Sequence, residues 1–227
     1  MNSSPQSAEQ TLALILADRP PVHPKRDGSS RCIGLHSGAL QYLYSQLSSD
    51  YYTLETGCGL STLIFALAGC HHQSIVPNQA HIEQIRQQAE RYQIDFSQTS
   101  FIAARSETIL PQLTDPPGLN VVLVDGGHAF PIPFIDWFYA GRRVAVGGLL
   151  VVDDIGLKTV SVLYDFLNKQ PQWQKEKVLH KTAFFRKQAE LEVDDAWDYW
   201  HEQPFNYHWR ARLRHLYLLL RQQFRGY

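Results

Sequence analysis

The chain has 227 residues, 44% of them apolar, and 21 Lys and Arg against 22 Asp and Glu give a formal net charge of −1. That length holds one α/β domain with extensions, and the apolar share is ordinary for a soluble globular protein, a poor fit to a disordered or membrane-embedded chain. Near-neutral charge gives no electrostatic reason to expect nucleic acid, and the Leu-rich run around Leu216, Leu218 and Leu220 is too short for a bilayer core of roughly 30 Å.

The first ten residues are polar and rich in Ser and Gln. The apolar stretch beginning at Leu12 has Glu9 before it, and Arg19 and two prolines behind it, so no signal peptide is expected in this stretch. Cys32, Cys58 and Cys70 form no Cys-x-x-Cys pair, so reduced thiols in a cytoplasmic protein are expected and structural zinc is not. Residues 11–18 read as a helix stopped by Pro20 and Pro21, and 19–31 as a loop. Residues 37–47 read as a helix, with Leu40, Leu43, Tyr44 and Leu47 on one face.

A strand–helix alternation follows. Strands are predicted at 51–55, 74–76, 101–104, 120–125 and 148–153, and helices at 61–68, 81–91, 107–113, 133–142 and 159–168. Val-Val-Leu-Val at 121–124 is continuously apolar, as a strand covered on both faces must be. Residues 174–180 and 182–186 read as a closing antiparallel pair. The alternation predicts an α/β, doubly wound, mostly parallel sheet with helices on both sides.

Composition changes after 188. An acidic stretch carries Glu190, Glu192, Asp194, Asp195, Asp198 and Glu202, and the final stretch is basic, with Arg210, Arg212, Arg214, Arg221 and Arg225. Trp209, Leu213, Leu216, Leu220 and Phe224 share a helical face. The division expected is an N-terminal helical cap (1–50), a core (51–188) and a C-terminal helical extension (189–227). That extension would pack on the core, on its acidic neighbour, or on a second subunit as a homo-oligomer contact.

The first strand runs into Glu55-Thr56-Gly57-Cys58-Gly59-Leu60-Ser61-Thr62. Glycines here permit a tight turn and close approach of a ligand to the main chain. A dinucleotide fingerprint would place glycine at Thr62, and a Walker loop would need Gly-Lys-Ser/Thr. Glu55 suits the cationic end of a ligand; the alternative is a carboxylate that caps the next helix.

Glu-x-Gly-x-Gly in this strand–helix order resembles motif I of class I S-adenosylmethionine-dependent methyltransferases. The segment Val-Asp125-Gly-Gly-His128, Asp136-Trp137 and Gly147-Gly148-Leu-Leu-Val-Val-Asp153-Asp154 resembles the subgroup labelled family 24 and the macrocin-type sugar O-methyltransferases. The likeness spans about 51–187. It implies a Rossmann-like methyltransferase fold with a seven-stranded sheet whose last strand is antiparallel. It implies S-adenosylmethionine as cofactor, held by Glu55, Gly57, Cys58, Gly59, Ser61, Asn78, Ser106 and Asp125. One position departs from the family: the acid that usually closes the second strand and accepts from the ribose is Val76 here, with Asn78 a neutral substitute further on. A ribose bound without that acid loses a hydrogen bond worth about 1–3 kcal/mol.

Asp125 ends the fourth strand, and Asp153 and Asp154 the fifth, on the sheet edge where ligands of this architecture bind. Clustered carboxylates repel, and a cation relieves them; oxygen ligands favour Mg2+, Ca2+ or Mn2+. By position the resemblance makes these three acids metal ligands and His128 a general base. The alternative for Asp153 and Asp154 is capping of the following helix. Ser106 and Ser37 have the same alternative, and Trp137 and Tyr139 read more simply as core. The expected activity is O-methylation of a small hydroxylated metabolite. A methyltransferase-fold binding or scaffold protein without turnover is the competing expectation, resting on Val76 and the C-terminal extension.

Overall fold

The computed structural model describes residues 7–24, 29–113, 118–190 and 203–206, together with Leu213 and Tyr217. Asp115, Pro116 and Pro117, and nearly all of the C-terminal acidic and basic segments, lie outside the described residues.

Helix α1 (Ala8–Asp18) begins in a reciprocal capping box. Ser7 accepts from the Gln10 backbone N–H, and the Gln10 side chain accepts from that of Ser7. The segment expected as plain loop contains two short paired strands, β1 (His23–Pro24) and β2 (Ser30–Arg31). Two-residue strands carry too little periodicity to be read from sequence. Helix α2 (Ser37–Ser45) is capped by His36, whose Nδ1 accepts from Gly38 N–H at 3.2 Å. Ser37 is not the cap; its hydroxyl accepts from Arg19.

The sheet strands are β3 (Tyr52–Thr56), β4 (His71–Ile75), β5 (Thr99–Ile102), β6 (Leu119–Val124), β7 (Val144–Val152), β8 (Trp173–Leu179) and β9 (Thr182–Lys187). The intervening helices are α3 (Leu60–Leu67), α4 (Gln79–Arg91), α5 (Ser106–Ile109), α6 (Ile132–Tyr139) and α7 (Lys158–Leu167). Strand order is β5-β4-β3-β6-β7-β9-β8. All neighbours pair parallel except β9, which is antiparallel to both β7 and β8. This is the expected doubly wound, Rossmann-like seven-stranded sheet. β4 begins three residues before its predicted start because His71, His72 and Gln73 carry no apolar signal; inside the fold His72 is paired to Thr53 and buried.

Side chains alternate across the strands. Val121, Leu123, Leu149, Val151 and Phe184 face one core, built with α1 to α4. Leu54, Val122, Val124, Leu150, Val152 and Phe185 face the other, under α7. Leu12, Ile15, Leu40 and Leu43 of the N-terminal helices belong to the first core. Trp137 and Tyr139 pack against the second. Among the described residues no helix is long and apolar enough to cross a membrane.

Candidate active site

A cavity of about 530 Å3 opens at the carboxyl ends of β3, β4, β6 and β7. That edge collects every loop following a parallel strand, which is why residues far apart in sequence meet here.

The turn after β3 is built by its glycines. Gly57 has φ +95°, and a Cβ there would lie 2.4 Å from the Asp125 carbonyl oxygen. Only glycine lets the β3 and β6 loops touch at that point. Gly59 is extended; its N–H donates to Thr62 Oγ1 at 3.0 Å. Thr62, at the position of a dinucleotide motif's third glycine, is therefore a structural anchor of the loop.

Glu55 is 1% exposed and does not line the cavity. Its carboxylate accepts from Ser61 Oγ at 2.7 Å and from Thr62 Oγ1, and lies 3.2 Å from His72 Nε2. Ser61 is likewise spent on Glu55. Gly57 and Cys58 do line the cavity. Burial, then Glu55 and Asp125, push the Cys58 thiol far up, so it remains protonated.

Along the β4 end, Val76 is 3% exposed and forms wall. Asn78 is the N-cap of α4, its Oδ1 accepting from Ala80 N–H at 2.9 Å. Sequence reasoning missed two histidines on this wall, His23 and His81, whose rings meet edge to face at 5.3 Å. Burial lowers both below the ordinary histidine value, keeping them neutral near pH 7. His23 lay in the segment read as loop, and nothing in the sequence pairs it with α4. Ser106, 8% exposed, also lines the cavity; the N-cap of α5 is Arg105 instead.

The acids on β6 and β7 sort into unequal roles. His128 Nε2 lies 3.7 Å from Asp125 Oδ1 and 3.4 Å from Asp154 Oδ2. These three side chains offer donor atoms within 4.8 Å of one another. The Nε2 atom is buried and has no hydrogen-bond partner. Its neighbour Asp125 raises His128 above the ordinary histidine value; burial opposes this, and Asp154 and Asp153 add to it. Burial lifts Asp125 above the carboxylate range, with His128 opposing and Asp153 and Asp154 adding.

Asp153 is not in that group. It is 1% exposed, accepts from Thr182 Oγ1, and lies 2.9 Å from Lys181 Nζ. Lys181 also bonds Asp154 Oδ1 at 2.6 Å. Neither acid caps α7, whose N-cap is Leu157. A divalent ion on Asp125, Asp153 and Asp154 together does not fit this arrangement: one of the three carboxylates is turned inward, and an ammonium already bridges two of them.

The chain's segment 54–155 matches the model of a family described as a methyltransferase domain. A comparison with curated proteins found no match. Among solved structures, the chain is similar to cofactor-bound Rv0187 from MTB, with TM-score 0.60 and 16% identity over 82% of this chain and 99% of that one. It is similar to the O-methyltransferase TomG from Streptomyces achromogenes in complex with SAM, with TM-score 0.59 and 14% identity over 82% and 92%. An rRNA methylase from Streptococcus thermophilus gives TM-score 0.51 and 12% identity over 67% and 96%. Together the strand order, the glycine turn and these likenesses give the chain the Rossmann-like methyltransferase fold, with residues 54–155 similar to a methyltransferase domain.

Proposed function

We propose that the chain is an S-adenosylmethionine-dependent O-methyltransferase of a small hydroxylated acceptor, with His128 as general base. The observation that carries this reading is the single cavity joining the glycine turn at Gly57 and Cys58 to His128 and Asp154. A cofactor and an acceptor need such a shared chamber, and a chamber of a few hundred cubic ångströms suits small molecules. The TomG likeness supports oxygen as the methylated atom; the rRNA methylase likeness shows that the fold alone does not select the acceptor.

When bound, S-adenosylmethionine supplies an electrophilic methyl group on a sulfonium sulfur. The chain's own residues would do the rest. Gly57 lets the main chain approach the ligand, and Val76, Asn78 and Ser106 form the wall. His128, whose buried Nε2 makes no hydrogen bond within the chain, would take the acceptor hydroxyl proton at that atom. Asp125 and Asp154 flank the imidazole and would stabilise its protonated form. The remainder of the rate would come from positioning.

Calorimetric titration with S-adenosylmethionine and S-adenosylhomocysteine tests the reading. Binding of the latter is the expected result, and no heat with either at millimolar ligand would overturn it. A second reading, a methyltransferase-fold binding protein without turnover, is favoured by Val76 where a ribose acceptor is usual and by Asn78 Oδ1 being committed to a helix cap. It is supported by the same null titration together with a partner retained through residues 190–227.

A further inference from the structure

The hairpin between β8 and β9 brings a cation to the acidic edge. β9 runs antiparallel to β7 with Val152 opposite Ala183, so the β8–β9 turn must lie beside the residues that follow β7. Leu179 pairs with Thr182, leaving His180 and Lys181 as a two-residue loop, and His180 has φ +60°. Across from it Asp154 also has left-handed backbone, φ +57°, an uncommon conformation for a residue with a Cβ. Two further contacts fasten the turn: Ile155 N–H donates to the Lys181 carbonyl at 3.0 Å, and His180 stacks on His36 at 4.9 Å.

Held this way, Lys181 Nζ reaches Asp154 Oδ1 at 2.6 Å and Asp153 Oδ2 at 2.9 Å while still lining the cavity. An ammonium has three donors; one bonds Asp154 Oδ1, and Asp153 Oδ2 is a second, ion-paired neighbour. A divalent ion coordinated by Asp154 would have this ammonium as a close like-charge neighbour.

We propose that Lys181 is the resident cation of this site. It occupies on Asp153 and Asp154 the place a divalent metal would take, and it offers a remaining N–H to the reacting oxygen of the acceptor. The role assigned toward the acceptor rests on the O-methyltransferase reading; the exclusion of metal does not. The arrangement uses a side chain from the hairpin turn, so the centre is complete as soon as the sheet closes.

Manganese titration followed by the electron paramagnetic resonance of free Mn2+ tests this on the full chain. Wild-type protein is expected to leave the Mn2+ signal unchanged up to millimolar ion. Lys181→Met exposes the carboxylates to each other and should bind Mn2+ at least about tenfold more tightly. Adding Asp154→Asn to that variant should abolish the gain, and Lys181→Arg should behave as wild type. Tight Mn2+ binding by the wild-type chain that Asp154→Asn removes would overturn the proposal, as would a folded Lys181→Met variant that binds no more Mn2+ than wild type. Should Lys181→Met not fold, Lys181→Gln serves the same comparison. S-adenosylhomocysteine titrations on the same samples report separately on the cofactor site, so a failure of the methyltransferase reading is told apart from a failure here.

Discussion

His72 Nε2 lies 3.2 Å from Glu55 Oε1, and both side chains are about 1% exposed. The pairing follows from sheet geometry: Thr53 and Glu55 project on one face of β3, and His72 is the cross-strand partner of Thr53. The other ring nitrogen, Nδ1, meets Thr53 Oγ1 at 2.8 Å, so the imidazole is held at both nitrogens. Phe65 stacks on the imidazole at 4.3 Å. The carboxylate of the glycine motif is thus an internal brace between β3, β4 and the start of α3.

Removing that brace leaves buried donors on Ser61, Thr62 and His72 unpaired. Glu55→Ala should therefore destabilise the fold by about 3 kcal/mol or more, read from urea unfolding. A variant that melts like wild type yet loses S-adenosylhomocysteine binding would assign Glu55 to the ligand instead.

Gly57→Ala tests the turn itself. The new Cβ meets the Asp125 carbonyl at 2.4 Å in a backbone conformation that L side chains rarely adopt. A loss of about 2–3 kcal/mol in unfolding free energy is expected, with cofactor-product binding lost in calorimetry.

Asp136 is fully buried beneath Gly126, with neither oxygen hydrogen-bonded by geometry. Burial raises it from 3.8 to about 6, and the neighbouring Ser106 and Thr56 hydroxyls offset this only in part. Because the folded value is raised, the stability associated with its neutral form is fully present below about pH 4 and is lost as pH rises through about 6. Asp136→Asn should consequently stabilise the chain by about 2 kcal/mol at pH 8, with the gain shrinking toward pH 4. Denaturant melts across that range check the sign; a gain that grows on acidification would contradict it.

For His128→Ala, kcat should fall about 100- to 10,000-fold while S-adenosylhomocysteine affinity stays within about twofold. The measurement is methyl transfer to any hydroxylated acceptor that gives turnover. Unchanged kcat would remove His128 as the base.

The thiols offer a check of burial. Cys58 and Cys70 are buried and burial raises both, Cys70 to about 12, whereas Cys32 is half-buried. Only one thiol of three should react quickly with a disulfide reagent at pH 8 in the folded chain.

Much of this architecture is written locally. The alternation of apolar strands with amphipathic helices predicts the doubly wound sheet, and a strand running into Gly57-Cys58-Gly59 predicts a ligand turn, because both depend on neighbours a few residues apart. The sequence also indicates that Asp125, His128, Asp153 and Asp154 gather at one edge, since strand carboxyl ends share it. Tertiary structure decided which of them face the cavity. Asp153 turns inward to Thr182 and Glu55 to His72, while Asn78 stays on the cavity wall with its Oδ1 committed to its own helix. It also brought Lys181 from 27 residues beyond Asp154 to within 2.6 Å. No periodicity announces that contact, because antiparallel closure of β9 on β7, and not local spacing, sets it.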